Sequence, residues 1–189
     1  MPSYLSNDEL IKIGFKSIGK DCQISRYARF YGASRIEIGN NVRIDDYCVL
    51  SAGDGGIQIG NYVLLTVGVT MQGTGKIEVK DFAGFAAKVT IYSTTDDYCG
   101  QGMSSAAVPL KYRNPITGDV IIGRGVVVGS NSVILPGVTL NDYCSVGALS
   151  LVMRDCKSFW VYFGIPAKKL KPRDKEMINV EKKFLTDSE

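Results

Sequence analysis

The segment from Ile122 to Lys157 repeats with a period of six residues. Each step begins with an aliphatic residue, and its fifth position is small or β-branched. This period is neither the 3.6-residue period of an α-helix nor the simple alternation of a half-buried strand. It indicates a short strand followed by a bend, with the aliphatic and the small residue facing inward. The aliphatic residues are Ile122, Val128, Ile134, Leu140, Val146 and Val152.

The same period extends over most of the preceding chain. It begins at Ile18, and groups of three hexads restart at Ile38, Ile59 and Val79, at intervals of 20, 21 and 20 residues. Three hexads, with the surplus residues at a corner, predict one coil of a three-sided prism. Six such coils, at about 4.8 Å per stacked strand, give a height of roughly 29 Å. Because no coil buries its apolar face alone, the sequence predicts an all-β parallel β-helix over residues 18–157.

Three segments flank or interrupt the repeat. The capping box Ser6-Asn-Asp-Glu9 predicts a short helix over about residues 6–15, within an N-terminal cap of residues 1–17. Residues 93–118 form a long polar and aromatic excursion, and loops of this length are either functional or disordered. We favour function, because Tyr98, Tyr112 and Arg113 are costly groups to leave unused in solvent. Residues 158–189 are expected to form a basic tail and a closing helix.

The composition excludes several classes of site. The chain has 189 residues and no histidine, which rules out a histidine–zinc site and a nucleophile activated by histidine, and no metal site is expected. A net charge of +3 gives no argument for nucleic-acid binding.

Four of the five cysteines fall on inward places and are expected to be reduced core thiols, whereas Cys99 lies in the excursion. The chain has no signal pattern and no membrane-spanning run, so we expect a cytoplasmic location.

The hexads, the excursion and the motif GIPAKKLK at residues 164–171 together resemble the left-handed β-helix (hexapeptide-repeat) acyltransferases. The galactoside, maltose and xenobiotic acetyltransferases and their surface-polysaccharide relatives are the most similar subgroup. The resemblance implies a left-handed coil, a homotrimer, and acetyl-CoA bound in the groove between two subunits. It implies an acetyl-CoA-dependent acetyltransferase acting on a sugar or nucleotide sugar, by O- or N-acetylation, in surface-polysaccharide or lipopolysaccharide biosynthesis.

The resemblance also assigns residues to the CoA site. It places the pantetheine arm at Ser130 and Ala148, the CoA head near Met153 and Arg154, and the phosphates near Lys171. A small residue such as Ala148 lets the arm approach the backbone. Positive charge for the phosphates is concentrated in this region, although a solvated basic tail is the alternative interpretation. The basic residues are Arg154, Lys157, Lys168, Lys169, Lys171 and Arg173.

The general base of the resembled family is a histidine, at about the place of Asp96 here. In one hypothesis Asp96 replaces it as the base, and Asp97 raises the pKa of Asp96 by like-charge repulsion. In the other, the acceptor is a nucleotide-linked amino sugar, whose amine attacks once it is positioned, and Asp96 or Asp97 orients it. Tyr98, Tyr112 and Arg113 are the candidate substrate-binding residues, with the tyrosines stacking on a sugar or nucleotide face.

A catalytically inactive β-helix scaffold or binding protein is the alternative function. A pure spacer would need neither the excursion nor a tail that resembles a CoA site, so the sequence favours the enzyme. Stabilisation by acetyl-CoA in a thermal unfolding experiment separates the two.

Overall fold

The computed structural model, which describes residues 4–187, is a three-sided parallel β-solenoid with a helix at each end. The first face contains Ser17–Ile18, Ile36–Ile38, Ile57–Ile59, Ile77–Val79, Val120–Ile122 and Thr139–Leu140. The second face contains Gln23–Ile24, Arg43–Ile44, Leu64–Leu65, Gly84–Phe85, Val127–Val128, Ser145–Val146, Trp160–Phe163 and the antiparallel Lys168–Pro172. The third face contains Arg29–Tyr31, Val49–Ala52, Thr70–Gly73, Thr90–Tyr92, Val133–Ile134 and Leu151–Val152.

The strand register confirms the predicted parallel β-helix. On the first face Ile18 pairs with Ile38, Ile38 with Ile59, and Ile59 with Val79, so residues at the same place of successive coils stack. The aliphatic residues that open the hexads form the core, since almost all of them are buried. Only at the N-terminal coil are Ile18 and Phe30 partly exposed, because no further coil covers them.

The prism is longer than the six coils that the hexads predict. Trp160–Phe163 adds a seventh parallel strand to the second face, pairing with Ser145–Val146. The buried ring of Tyr162 takes the inward place of the missing aliphatic residue, and its hydroxyl accepts a 2.8 Å hydrogen bond from the Lys157 N–H. The hexad pattern ends at Lys157, but the solenoid continues for one more strand because the Tyr162 ring fills the inward space of an aliphatic residue.

The N-terminal helix α1, Asn7–Ile13, is shorter than predicted. Ser6 caps it through the expected capping box, but Gly14 adopts a left-handed conformation at φ 76° and ends the helix two residues before the predicted boundary. A bidentate ion pair between Glu9 and Arg26, with oxygen–nitrogen distances of 2.6 and 2.9 Å, joins α1 to the first coil.

The C-terminal helix α2, Glu176–Asp187, packs on the edge between the first and second faces. The rings of Tyr62 and Phe82 stack there with centroids 5.1 Å apart, and Phe184 of α2 meets both edge-on. Arg124 links this edge to the helix, donating to Glu181 at 2.6 Å and to Asp81 at 2.8 Å. No helix within residues 4–187 is long and apolar enough to cross a membrane.

Candidate active site

A groove of about 530 Å³ runs along the edge between the third and first faces. Its floor is formed by Gly32, Gly53 and Gly73, one from each of the first three coils, and we call it the glycine groove. A Cβ on Gly53 would lie 2.5 Å from the Gly73 carbonyl oxygen, and one on Gly73 would lie 2.2 Å from Ser93 Oγ. The coils stack too closely at this edge for side chains, so an open channel remains above the backbone.

The excursion closes one end of the glycine groove. It leaves and rejoins the prism through a two-stranded antiparallel pair, Thr94–Thr95 with Ile116–Thr117. The hydroxyls of Thr74, Thr94 and Thr117 lie 2.6 to 3.1 Å from one another and tie this pair to the neighbouring coil. The base of the excursion is therefore fixed, and Asp96 follows it directly.

Asp96 and Arg113 face each other in the glycine groove. Arg113 Nη2 lies 3.4 Å from Asp96 Oδ1, at the long end of the hydrogen-bond range. The Arg113 side chain is 17% exposed, and its buried Nε contacts no acceptor within residues 4–187. The Asp96 side chain is 44% exposed. The pair gives the groove an accessible carboxylate beside a guanidinium whose hydrogen-bonding capacity is mostly unused.

Asp97 has a different environment. It is buried, with Oδ1 accepting from the Cys99 N–H at 2.7 Å and Oδ2 from the Gly102 N–H at 2.8 Å. These backbone donors, Cys99 foremost, lower the pKa of Asp97. Both oxygens are thus committed to ordering the excursion, and a substrate could reach them only by displacing these bonds.

The two tyrosines predicted to bind substrate lie outside the glycine groove. Tyr98 is 88% exposed, and Tyr112 is 56% exposed with the Lys111 amine 4.8 Å from its ring centre. Of the three predicted substrate-binding residues, only Arg113 lines the groove.

The predicted CoA residues lie elsewhere on the prism. Ser130 and Ala148 occupy the same corner of successive coils, at the edge between the second and third faces, where the Leu149 N–H donates to the Ser130 carbonyl at 2.9 Å. Met153, Arg154 and Lys168 line a second pocket, of about 420 Å³. Lys171 is exposed on the terminal antiparallel strand, opposite Val161, and does not line this pocket.

Two residues of the basic tail have structural contacts. The Lys169 amine lies 4.1 Å from the centre of the Trp160 ring. Arg173 Nη1 donates to the carbonyl oxygens of Gly125, Tyr143 and Cys144 at 3.0 to 3.1 Å. The expectation that Arg173 supplies charge for phosphates does not fit this arrangement, because its guanidinium anchors the tail to the prism.

Sequence reasoning missed the other cation of the glycine groove, Arg35. Its Nε and Nη2 donate to the carbonyl oxygens of Ala52 and Gly53 at 2.7 to 3.1 Å. The available signal was the recurrence of Gly32, Gly53 and Gly73 at coil intervals, with Arg35 three residues after the first.

Comparisons with known proteins place the chain among transferases. Residues 119–154 match the family model described as bacterial transferase hexapeptide (six repeats). The chain is 44% identical over 182 residues to the Escherichia coli dTDP-4-amino-4,6-dideoxy-D-glucose acyltransferase, covering 96% of this chain and 95% of that protein.

Two solved structures of AntD, an N-acyltransferase from Bacillus cereus, share the fold. A variant bound to dTDP-4-amino-4,6-dideoxyglucose and coenzyme A superposes with a TM-score of 0.93 at 37% identity, covering 99% of each chain. The complex with dTDP and 3-hydroxybutyryl-CoA has the same TM-score and identity, and covers 100% of this chain and 99% of that one.

Proposed function

The chain belongs to the hexapeptide-repeat acyltransferase family, and from that premise we propose that it transfers an acyl group from acyl-CoA to the amine of dTDP-4-amino-4,6-dideoxyglucose or a close relative. The observation that carries the proposal is the 44% identity over 96% of the chain to an acyltransferase with that acceptor. The absence of histidine agrees with an amine acceptor, because an amine needs less help from a base than a hydroxyl does.

In the proposed reaction the neutral 4-amine attacks the thioester carbonyl carbon. The C–N bond forms, the tetrahedral intermediate collapses, and CoA leaves as a thiolate that takes up the proton lost by nitrogen. Asp96 accepts a hydrogen bond from the amine, which orients its lone pair and stabilises the positive charge that develops on nitrogen. Asp97 orders the excursion that carries Asp96.

The donor is an acyl-CoA bound through Ser130, Ala148, Met153, Arg154 and Lys168. Acetyl-CoA is the simplest donor, and the 3-hydroxybutyryl-CoA held by AntD makes a longer chain the first alternative. A role in surface-polysaccharide or lipopolysaccharide assembly accords with an acylated nucleotide sugar as the product.

The proposed site needs more than one copy of the chain. Asp96 lies at the edge between the third and first faces, whereas Ser130 and Ala148 lie at the edge between the second and third faces. The whole third face separates these edges in a single prism. Packing of copies can bring the edges together, and because the two edges are different surfaces, such a contact can close into a ring. This supports the proposal of a homotrimer with shared sites.

An acceptor panel tests the proposed function. Acetyl-CoA and 3-hydroxybutyryl-CoA are each incubated with dTDP-4-amino-4,6-dideoxyglucose and with its 4-hydroxyl analogue, dTDP-6-deoxyglucose, and products are identified by mass spectrometry. We expect the acyl mass increment on the amino sugar alone. Acylation of the hydroxyl analogue at an equal rate would contradict N-acylation. Absence of thermal stabilisation by either acyl-CoA would instead favour the scaffold.

A further inference from the structure

The glycine groove carries two guanidinium groups and one lining carboxylate, so it is suited to an anion. We propose that Arg35 and Arg113 bind the diphosphate of the acceptor and thereby place its amino sugar against Asp96. This inference rests on the proposed function and names the part of the substrate that the groove recognises.

The Arg35 guanidinium is held in place by backbone groups of the second coil. Two of its nitrogens are fixed by the carbonyl oxygens of Ala52 and Gly53, while Nη1 has no acceptor within residues 4–187. Gly32, at φ 67°, makes room for it: a Cβ there would lie 2.7 Å from Arg35 Nη2 and 2.4 Å from the Ala52 carbonyl oxygen. The guanidinium is therefore oriented before a ligand arrives, which lowers the entropy that binding costs.

Arg113 approaches from the excursion. The only hydrogen bond of its side chain in the described part of the chain is the 3.4 Å contact with Asp96, although most of that side chain is buried. A buried guanidinium with so few acceptors is unfavourable, and phosphate oxygens would supply short charge-assisted hydrogen bonds. A diphosphate that binds Arg113 also weakens the contact between Arg113 and Asp96. The Asp96 carboxylate is then available to the amine.

The order of groups along the groove fits a nucleoside diphosphate sugar. The Arg35 guanidinium contacts the second coil, and Asp96 follows the fourth, so they are separated by about two strand spacings, or roughly 10 Å. Gln72 and Thr74 line the wall between them and offer hydrogen bonds to sugar hydroxyls. Tyr31, 59% exposed, stands beyond Arg35, where its ring can stack on the base.

Competition in the wild-type enzyme is the first test. Thymidine, dTMP and dTDP are measured as inhibitors against any acceptor that the enzyme acylates. We expect dTDP to bind at least about tenfold more tightly than thymidine, since charge-assisted hydrogen bonds contribute strongly to affinity. Equal inhibition by dTDP and thymidine would overturn the proposal. Because any acceptor serves, the result stands even if the natural amino sugar differs from the one proposed.

Variants locate the diphosphate. Arg35→Lys and Arg113→Lys keep the charge but lose the planar fork, and Arg43→Lys, at an exposed arginine of the second face, is the matched control. We expect KM for the nucleotide sugar to rise about tenfold or more in both arginine variants, with KM for acyl-CoA unchanged, and no change in the control. A rise in KM for acyl-CoA instead would assign the groove to the CoA phosphates and contradict the proposal. Circular dichroism and the unfolding temperature identify any variant that fails to fold. If a variant fails to fold, inhibition of the wild-type enzyme by thymidine, dTMP and dTDP decides whether the groove binds the diphosphate.

Discussion

Asp96 and Asp97 are adjacent in sequence, yet the structure separates their roles. The carboxylate of Asp96 faces the glycine groove beside Arg113, and that of Asp97 accepts two backbone N–H groups inside the excursion. The difference between them depends on the direction of each side chain, and substitutions that remove only the charge can test it.

Replacement of Asp96 by asparagine is expected to lower kcat by roughly 10²-fold, because the neutral amide cannot stabilise the positive charge that develops on nitrogen. The unfolding temperature should not change, since the Asp96 side chain makes one long hydrogen bond within residues 4–187. Steady-state kinetics and calorimetry measure the two effects. The matched variant Asp97→Asn should instead increase proteolysis within residues 97–104. Wild-type kcat in Asp96→Asn would contradict a role for this carboxylate.

The pH dependence of the excursion follows from Asp97. Its pKa is lowered in the folded protein, chiefly by the Cys99 N–H, so ionised Asp97 stabilises the fold at pH values above its ordinary pKa of 3.8. This contribution is lost as the pH falls through the folded-state pKa. We expect amide exchange in residues 97–104 to show weaker protection on acidification below about pH 4. In Asp97→Asn the protection should be independent of pH over the same range.

The floor of the glycine groove should not tolerate a side chain. In Gly73→Ala the added Cβ would lie 2.2 Å from Ser93 Oγ and 2.6 Å from the Thr94 nitrogen, and the residue has φ 142°. We expect a loss of about 1–3 kcal/mol in the free energy of unfolding, measured by denaturant titration. Gly84→Ala is the control, because its Cβ would meet only Val127 Cγ2, at 3.7 Å. An equal loss in both variants would refute the steric explanation.

At the scale of elements, helix α2 depends on contacts that its own sequence does not reveal. It has no buried residue, yet Phe184 meets the stacked rings of Tyr62 and Phe82, and Glu181 accepts from Arg124 at 2.6 Å and from Tyr143 at 3.3 Å. These contacts hold α2 against the edge between the first and second faces.

Truncation of the Phe184 ring should therefore release α2 while the prism remains folded. In Phe184→Ala we expect amide exchange of residues 176–187 to accelerate about tenfold, since ring pairs of this kind contribute about 1 kcal/mol beyond area burial. Lys183→Ala, an exposed neighbour on the same helix, should leave the exchange unchanged. Acceleration across the prism strands as well would indicate global destabilisation and contradict the local role.

At the scale of the whole molecule, the distance between the two edges predicts complementation between subunits. Asp96→Asn and Ala148→Trp should each be nearly inactive, one through the acceptor edge and the other through the CoA edge. Unfolding and refolding of an equal mixture should form some sites with two intact halves, and restore about a quarter of wild-type activity if copies assort at random in a closed ring. If the mixture stays as inactive as its components, each site lies within one chain.

The period of six residues determined the architecture, because each aliphatic place is set by local strand geometry and repeats in every coil. The inward residues and the excursion were therefore predictable, apart from the seventh strand that Tyr162 completes. The two helices were predictable from the capping box and the apolar side of the tail, apart from the end of α1 at Gly14. Ser130 and Ala148 were assigned to the CoA site by the family resemblance, and coil stacking places them at one corner of successive coils.

The tertiary structure alone decided which polar side chains share a surface. Arg35 and Arg113 are distant in sequence and meet in one groove only because coil stacking aligns the glycine corners and the excursion folds back over them. Asp97 differs from Asp96 because its carboxylate accepts from backbone N–H groups inside the folded excursion, and Arg173 differs from Lys168 because its guanidinium donates to carbonyl groups far away in sequence. A repeat constrains the backbone of each coil, but side chains in an irregular loop or tail take their orientation from partners that no sequence period encodes.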